Sequence, residues 1–531
     1  MSAAVSYPGV YIEELPSGTL RGASPIGPVA TATAAFIGRC RRGPVDEPVD
    51  IHSVADFTRI FGSLWDQSAL GYAVRDFFAN GGTHALVVRL FHAADPVQSH
   101  ARLAAGGLAL RARHPGAWGN ALQMRIDHDV EPGADPADPL RADCFNLTVR
   151  DAASHQVEVF RSVSMAPGHP RRVDLLLARL SQLVLADGAL PAARPAAHPA
   201  VPGDSWQTEG AFSAVPADRM AGADLPLAQA DFTGPGTLAS QRGLYALCRA
   251  DHFNILCIPP YLAHEGDYLN GAVDSSLMAD AALFCEQRRA MLLVDPPPEW
   301  TSIGHALDGV AALGTASRNA ALFFPRLIEP VAERGGAMSV LAPCGAVAGV
   351  FARTDAQRGV WKAPAGMEAA LLGVPALSVP MTDRENGKLN PLGINCLRSM
   401  PSAGRIVWGA RTLQGDERRS SEWKYIPVRR TALYIEESVA RGIAWVVLEA
   451  NNEALWARLR LSVGAFLHEL FRQGAFQGRA PHEAYFVKCD ASTTSAADVE
   501  QGIVNLLIGF APLKPGEFVL LQLRQVTAVE A

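Results

Sequence analysis

Arg353, Asp355 and Lys362 set two cations and a carboxylate within ten positions of one another, side-chain types that acid–base or phosphate chemistry draws on. The same types form ordinary surface and interface ion pairs, and ion pairing is the expectation here. His468 and Glu469 open a zinc-type His-Glu pattern that no second histidine completes, and the fourteen histidines show no ligand spacing. The eight cysteines run from Cys40 to Cys489 without a C-x-x-C pair, so neither a zinc site nor a redox motif is predicted. Cys248 and Cys257 sit in apolar stretches, which suits reduced core thiols in a protein assembled in a cytoplasm. Gly387-Lys388 lacks the upstream glycine of a phosphate loop, and no Gly-x-Gly-x-x-Gly turn follows a predicted strand. Trp118, Trp361 and Trp408 read as core or turn residues rather than ligand platforms. No catalytic, metal-binding or cofactor-binding residue is nominated.

The charge pattern narrows the partners. With 49% hydrophobic and 19% charged residues and a formal charge of -6, the chain reads as a globular protein with a mildly acidic surface. Its basic clusters are short, as at Arg39, Arg41 and Arg42 or at Arg429 and Arg430, so nucleic acid is not an expected partner. The first residues lack the basic segment and apolar run of a signal peptide. Apolar runs such as Gly442–Leu448 fall far short of the roughly 20 residues that span a bilayer, so direct membrane insertion is not expected.

The elements that would position a site follow an α/β (α+β) multidomain pattern, and 531 residues predict roughly two to four domains. Val10, Tyr11, Ile12, Glu13 and Glu14 form an extended segment that Pro16 and Gly18 end without a hairpin return. An isolated strand is not stable in water, so this one must pair with something distant or with another chain. Residues 1–28 are therefore read as an N-terminal arm and linker. From 29 to 92 the pattern is compact α/β: a strand near Thr33–Gly38, a helix capped by Ser53, a helix over Ser68–Ala79 stopped at Asn80-Gly81-Gly82, and a strand at Ala85–Leu90.

Residues 93–236 read as an inserted β-rich surface domain. Phe145–Val149 and Gln156–Val163 predict a hairpin, Ala121–Ile126 a third strand, and the Ala/Pro-rich Pro191–Pro202 a loop. Residues 237–395 return to α/β, with central strands at Phe253–Ile258, Ala290–Asp295 and Ala320–Phe324 and a helix at Asp280–Arg289. For 396–510 the expectation is a strand at Arg441–Glu449 and a long helix capped by Asn451 or Asn452, with Leu455, Leu459, Val463, Phe466 and Leu470 on one face. A strand at Tyr485–Lys488 and a helix over Ala496–Ile508 follow. Residues 511–531 read as a C-terminal arm whose extended run holds Phe518, Val519, Leu520, Leu521 and Leu523.

Several stretches, in order, resemble the tail sheath family of contractile phages, R-type pyocins and extracellular contractile injection systems. They include Tyr-Pro-Gly-Val-Tyr-Ile-Glu-Glu from Tyr7, Asp-Phe-Thr-Arg-Ile-Phe-Gly at Asp56–Gly62, and His-Pro-Gly-Ala-Trp-Gly-Asn at His114–Asn120. The second half adds Ala-Gly-Val-Phe-Ala-Arg-Thr-Asp at Ala348–Asp355, Leu-Asn-Pro-Leu-Gly-Ile-Asn at Leu389–Asn395, Trp-Gly-Ala-Arg-Thr-Leu at Trp408–Leu413, and Val-Arg-Arg-Thr at Val428–Thr431.

The resemblance implies a structural subunit, not an enzyme, that polymerises helically around an inner tube and contracts to drive it through an envelope. Its expected partners are further copies of itself, the tube protein, and baseplate and terminal cap proteins, with assembly in the cytoplasm of the producing bacterium. It also implies that the terminal arms add strands to a C-terminal sheet of neighbouring subunits. The donors would be Val10–Glu14 and Phe518–Leu523, with Ser17–Pro28 and Gly509–Pro515 as tethers. The C-terminal run has an alternative partner in Tyr485–Lys488 of its own chain. The tube-facing helix is expected at Ala496–Ile508, presenting Asp498 and Glu500, which otherwise simply complement a helix dipole. The competing readings are another tail-tube or baseplate protein, and an α/β enzyme resting on the strand and helix alternation after Gly243.

Overall fold

The computed structural model describes residues 26–130, 143–417, 421–446, 449–500 and 503–516. The arm strands expected at Val10–Glu14 and Phe518–Leu523 lie outside the described residues. The chain divides into a larger unit built on Ala30–Leu433 and a smaller one built on Tyr434–Leu513, which includes the described residues Ile26–Val29. The fold is mixed, with helices and several separate sheets.

The larger unit centres on eight strands: β1 (Ala34–Arg39), β2 (Pro48–Ile51), β3 (Ala85–Leu90), β4 (Ile255–Cys257), β5 (Met291–Val294), β6 (Ala320–Phe324), β7 (Ile394–Met400) and β8 (Gly404–Val407). Their spatial order is β2-β3-β1-β4-β5-β6-β7-β8. The six inner strands run parallel, and β2 and β8 close the edges antiparallel. Parallel strands need crossovers that cover both faces, so the inner strands read as continuous apolar runs. Ala35, Ile37, Leu256, Leu292 and Leu322 face one core, while Ala34, Phe36, Ile255, Leu293 and Phe323 face the other.

Helix α1 (Val54–Phe61) has Ser53 as its N-cap, whose hydroxyl accepts from the Asp56 amide. Helices α2 (Leu70–Ala79) and α4 (Cys344–Arg358) lie on the second core, and α3 (Ser275–Gln287) lies on the first. Gly345 and Gly349 let α4 approach α2 closely, since a Cβ on either would sit 2.1 Å from the Ala73 carbonyl or 2.5 Å from that of Phe77. This is the structural content of the glycine in the Ala348–Asp355 motif.

Arg89, fully buried, donates to the carbonyls of Cys40, Gly43 and Pro115. One side chain thereby ties the end of β3 to the turn after β1 and to the His114–Asn120 motif. The region beyond it leaves and returns through an antiparallel pair, His92–Ala93 against Asp224–Leu225. Between these lies a four-stranded sheet with Leu122–Asp127, Cys144–Asp151 and Val157–Ser164 as three of its strands. Leu122–Asp127 alternates buried and half-buried along its length, as the period-2 reading requires.

Three expectations need correction. Arg441–Glu449 is not a strand: helix α5 (Ile426–Gly442) runs into its start and a 3₁₀ turn covers Ala444–Val446. The apolar Ile443–Leu448 run lent itself to a strand, yet the helix carries on through an i,i+4 bond from Arg441 to Glu437 at 2.6 Å. Of the helix expected over Ala496–Ile508 the described residues hold Ala496–Glu500, residues 503–506 are not helical, and Leu507–Phe510 is a strand. Gly509 and Phe510 are therefore ladder residues rather than tether. In addition, the expected boundary at 395/396 falls inside β7 of the central sheet.

Candidate functional site

The smaller unit holds a two-stranded antiparallel sheet, β9 (Tyr485–Lys488) and β10 (Leu507–Phe510). Its register pairs Tyr485 with Phe510, Phe486 with Gly509, Val487 with Ile508 and Lys488 with Leu507. Among the described residues neither strand has a second neighbour. A lone hairpin is marginal in water, and this one is held against helix α6 (Glu453–Arg472).

Helix α6 carries the predicted stripe. Asn452 caps it by accepting from the Leu455 amide, and Leu455, Leu459, Val463, Phe466 and Leu470 are buried. Leu455, Trp456 and Leu459 enclose Cys489, directly after β9, with Leu506, directly before β10, packed against them. At the other end of the hairpin, the Phe476 ring lies 6.1 Å from Tyr485 and 5.6 Å from Phe510. The Tyr485 hydroxyl is 3.2 Å from His468 Nδ1. Pinned at both ends, the hairpin still leaves Phe486 53% and Leu507 52% exposed. The backbone N–H and C=O groups along such an edge are a template for further strands, and exposed apolar side chains beside them offer burial to an added strand.

Asp498 is the third residue of its short helix. Its carboxylate accepts from the Ser495 amide and hydroxyl, both at 2.8 Å, while the Ser495 hydroxyl accepts from the Asp498 amide. Those bonds hold the Asp498 carboxyl below its usual range. Asp498 thus joins Ser495 in a reciprocal pair of bonds at the helix start, and Glu500 is exposed. The β10 strand was missed because its apolar run was read as the continuation of that helix. The Ile508 β-branch and the Gly509-Phe510 step before Pro512 were the available signals.

The carboxyl ends of parallel strands are where α/β folds bind ligands. There, Arg39 stands over the Trp65 ring at 4.7 Å and the Tyr268 ring at 5.6 Å. Asp295, directly after β5, is half-buried and accepts from the Cys344 amide at 2.8 Å; the loss of water around it pushes its carboxyl up to about 6. The cavity it lines with Arg326 measures about 60 Å³, room for a water or two and far below a metabolite site. The motif residues are likewise committed to structure. Arg353 donates to the Asn80 and Ala370 carbonyls, and Asp355 is in a bidentate pair with Arg430. Seven of the eight cysteines are buried and Cys248 is half-buried.

Residues 234–413 match the model of the phage tail sheath protein central domain, and 418–525 match that of the phage tail sheath C-terminal domain. Together the two matches cover more than half of the chain. The chain belongs to the contractile tail sheath family. A putative prophage major tail sheath protein of Pseudomonas aeruginosa (strain UCBPP-PA14) is 29% identical to this sheath chain over 181 residues, 33% of it. The chain spans 44% of that relative's length.

Solved structures share the fold. The sheath of an extracellular contractile injection system (PVC), in the contracted state, aligns at a TM-score of 0.56 and 20% identity, over 99% of both chains. The contracted helical sheath of the anti-feeding prophage aligns at 0.54 and 22%, over 98% of this chain and 99% of the other. A sheath tail protein of Listeria innocua aligns at 0.57 and 14%, over 91% and 96%. Among the described residues, no helix is long and apolar enough to cross a membrane.

Proposed function

We propose that this sheath chain is a structural, non-catalytic subunit that polymerises helically around an inner tube and contracts, assembling in the cytoplasm of the producing cell onto a baseplate and under a terminal cap. The observation that carries the reading is the β9–β10 sheet, whose two edges have no strand partner among the described residues and which leaves Phe486 and Leu507 exposed. The chain has two candidate donors, Val10–Glu14 and Phe518–Leu523, one for each edge. A donated strand would form on the order of five backbone hydrogen bonds worth about 1 kcal/mol net apiece. Repeated from subunit to subunit, such bonds join a lattice that rearranges without coming apart. Work then comes from the difference between two packings, which needs no nucleotide. Asp498 and Glu500 remain the candidate tube contacts, Asp498 also bonding to Ser495 at the helix start.

The test is removal of residues 1–15 from the full chain coexpressed with its tube. Folded subunits that form no stable sheath in electron micrographs are the expected result. Intact, contractile sheaths from the truncated chain would overturn strand donation.

A further inference from the structure

The ladder of β1 begins at Ala34, where it pairs with Ala85 and Ile255. Thr33 still bonds to the β4 side through its carbonyl, which accepts from the Asn254 and Ile255 amides at 2.9 and 3.2 Å, and the rest of the lead-in backbone is held by side chains from separate elements. Asn254 Oδ1 accepts from the Thr33 amide at 3.0 Å, and Asn254 Nδ2 donates to the Ala30 carbonyl at 2.8 Å. His252 Nε2 lies 3.1 Å from the same carbonyl. Arg430 Nη2 donates to the Thr31 carbonyl at 2.9 Å. That guanidinium is itself fixed by Asp355, Nη1 to Oδ1 at 2.8 Å and Nη2 to Oδ2 at 2.6 Å, with the two side chains 3% and 2% exposed. Its plane also lies over the Phe351 ring at 4.9 Å.

A lead-in to a strand needs no such fixing in an isolated subunit. A buried ion pair gives little or no net stability over an apolar pair, because both charges must leave water. What it does give is a defined geometry that resists displacement of one partner. Here the geometry is spent on the backbone at Thr31, the point at which the chain from the N-terminal side enters the central sheet. β1 has strand neighbours on both sides and both faces buried. Pull along its axis therefore loads many ladder bonds at once, provided the lead-in does not first peel outward.

We infer that Ala30–Thr33 is the anchor through which tension on the N-terminal arm enters the subunit, with Asn254 and the Arg430–Asp355 pair as the positioning residues that hold it. This rests on the strand-donation reading above. Each subunit, on this account, grips its own arm at the root while a neighbour grips the far end.

The test uses the full chain coexpressed with its tube, as Asn254→Leu and as the double variant Arg430→Met with Asp355→Leu, which leaves no lone buried charge. In isolated Asn254→Leu subunits the Thr33 amide should exchange roughly tenfold faster or more, as expected when a bond of this order is lost. Sheaths of either variant should assemble extended and break into fragments when contraction is triggered. Variant sheaths that contract intact although exchange shows the lead-in freed would overturn the anchor. If that result came while removal of residues 1–15 still abolished sheaths, the anchor alone would fail. Contractile sheaths without residues 1–15 would instead sink the underlying reading. Should a variant not fold, wild-type subunits pulled by an N-terminal handle decide the matter. Simultaneous rupture of lead-in and central sheet supports the anchor, and early peeling of the lead-in overturns it.

Discussion

Glu329 and Asp76 bring their carboxyl groups together in the interior, where the strand Leu327–Val331 meets α2, with Arg75 bonded to both. Burial is the larger cause, and the neighbouring Asp76 charge the next, of a Glu329 carboxyl pushed up to about 8 from its ordinary 4.5. Asp76 is pushed up as well, again by burial. The surrounding charges are Arg75 and, around the nearby Tyr72 hydroxyl, Glu333 and Asp66. One proton held between Glu329 and Asp76, with the Arg75 cation, makes a neutral cluster.

The sign of the pH dependence follows. Unfolded, Glu329 loses its proton near its ordinary value; folded, it keeps that proton until about pH 8. Between those values the native state binds more protons, so stability falls as pH rises and levels off above the folded value. Glu329 should therefore contribute a fall in the urea midpoint of the full chain between about pH 5 and about pH 8, opposed below pH 6.5 by the half-buried His114, whose imidazole is held down to about 3. Glu329→Gln should flatten that slope, and an unchanged slope would refute the shared proton.

The β9–β10 sheet supplies a second prediction. The Phe486 ring covers Gly509 across the hairpin, where a Cβ would sit 2.1 Å from it, while half of its surface faces solvent. In an augmented sheet that surface would be covered. Phe486→Asp should leave the subunit folded by circular dichroism and weaken assembly by about 2 kcal/mol or more per contact, as the loss of a buried aromatic anchor does. Sheaths of normal yield and length in electron micrographs from this variant would show that the hairpin is not an acceptor.

What could be read in advance follows the physics of each segment. β1, β3, β6 and α6 were legible because their signals are local: uniformly apolar strands buried on both faces, and a capped helix with a regular stripe. The β9–β10 pairing was not, because Leu507–Phe510 owes its conformation to Tyr485–Lys488, across a turn of some length, and its apolar run also fits a helix. α5 was overlooked for a similar reason. Arg429 and Arg430, which read as a basic cluster, are buried and bonded to Asn319 and Asp355, so charge pattern alone concealed a core helix. The family motifs were visible as strings, but the role of Asp355 required knowing that α5 and α4 are neighbours.

The contact of α2 with α4 is tight enough to predict a large steric effect. Gly349→Val would place a Cβ 2.5 Å from the Phe77 carbonyl and 2.6 Å from the Asn80 Cβ, backbone and short side-chain atoms that cannot swing away. The two helices must separate or shift, at a cost of about 1–3 kcal/mol or more. Urea unfolding should show a lowered midpoint with an unchanged slope. Gly464→Ala, at a helical position with open space around it, should instead be neutral or stabilising by up to about 1 kcal/mol.

The Arg430–Asp355 pair allows the ion itself to be separated from the packing around it. Arg430→Met alone leaves the Asp355 carboxylate buried without its bidentate partner, and Asp355→Leu alone leaves the guanidinium with the Thr31 carbonyl and the Phe351 ring but no counter-charge. Each single change should cost about 3–5 kcal/mol, since an uncompensated buried charge is the expensive state. The double variant removes both charges and puts apolar side chains in their place, so it should recover most of that loss in urea or thermal unfolding. Additive losses in the double variant would mean that the two side chains stabilise the subunit independently. The pair would then be an ordinary structural contact, and its link to the Thr31 backbone would need another explanation.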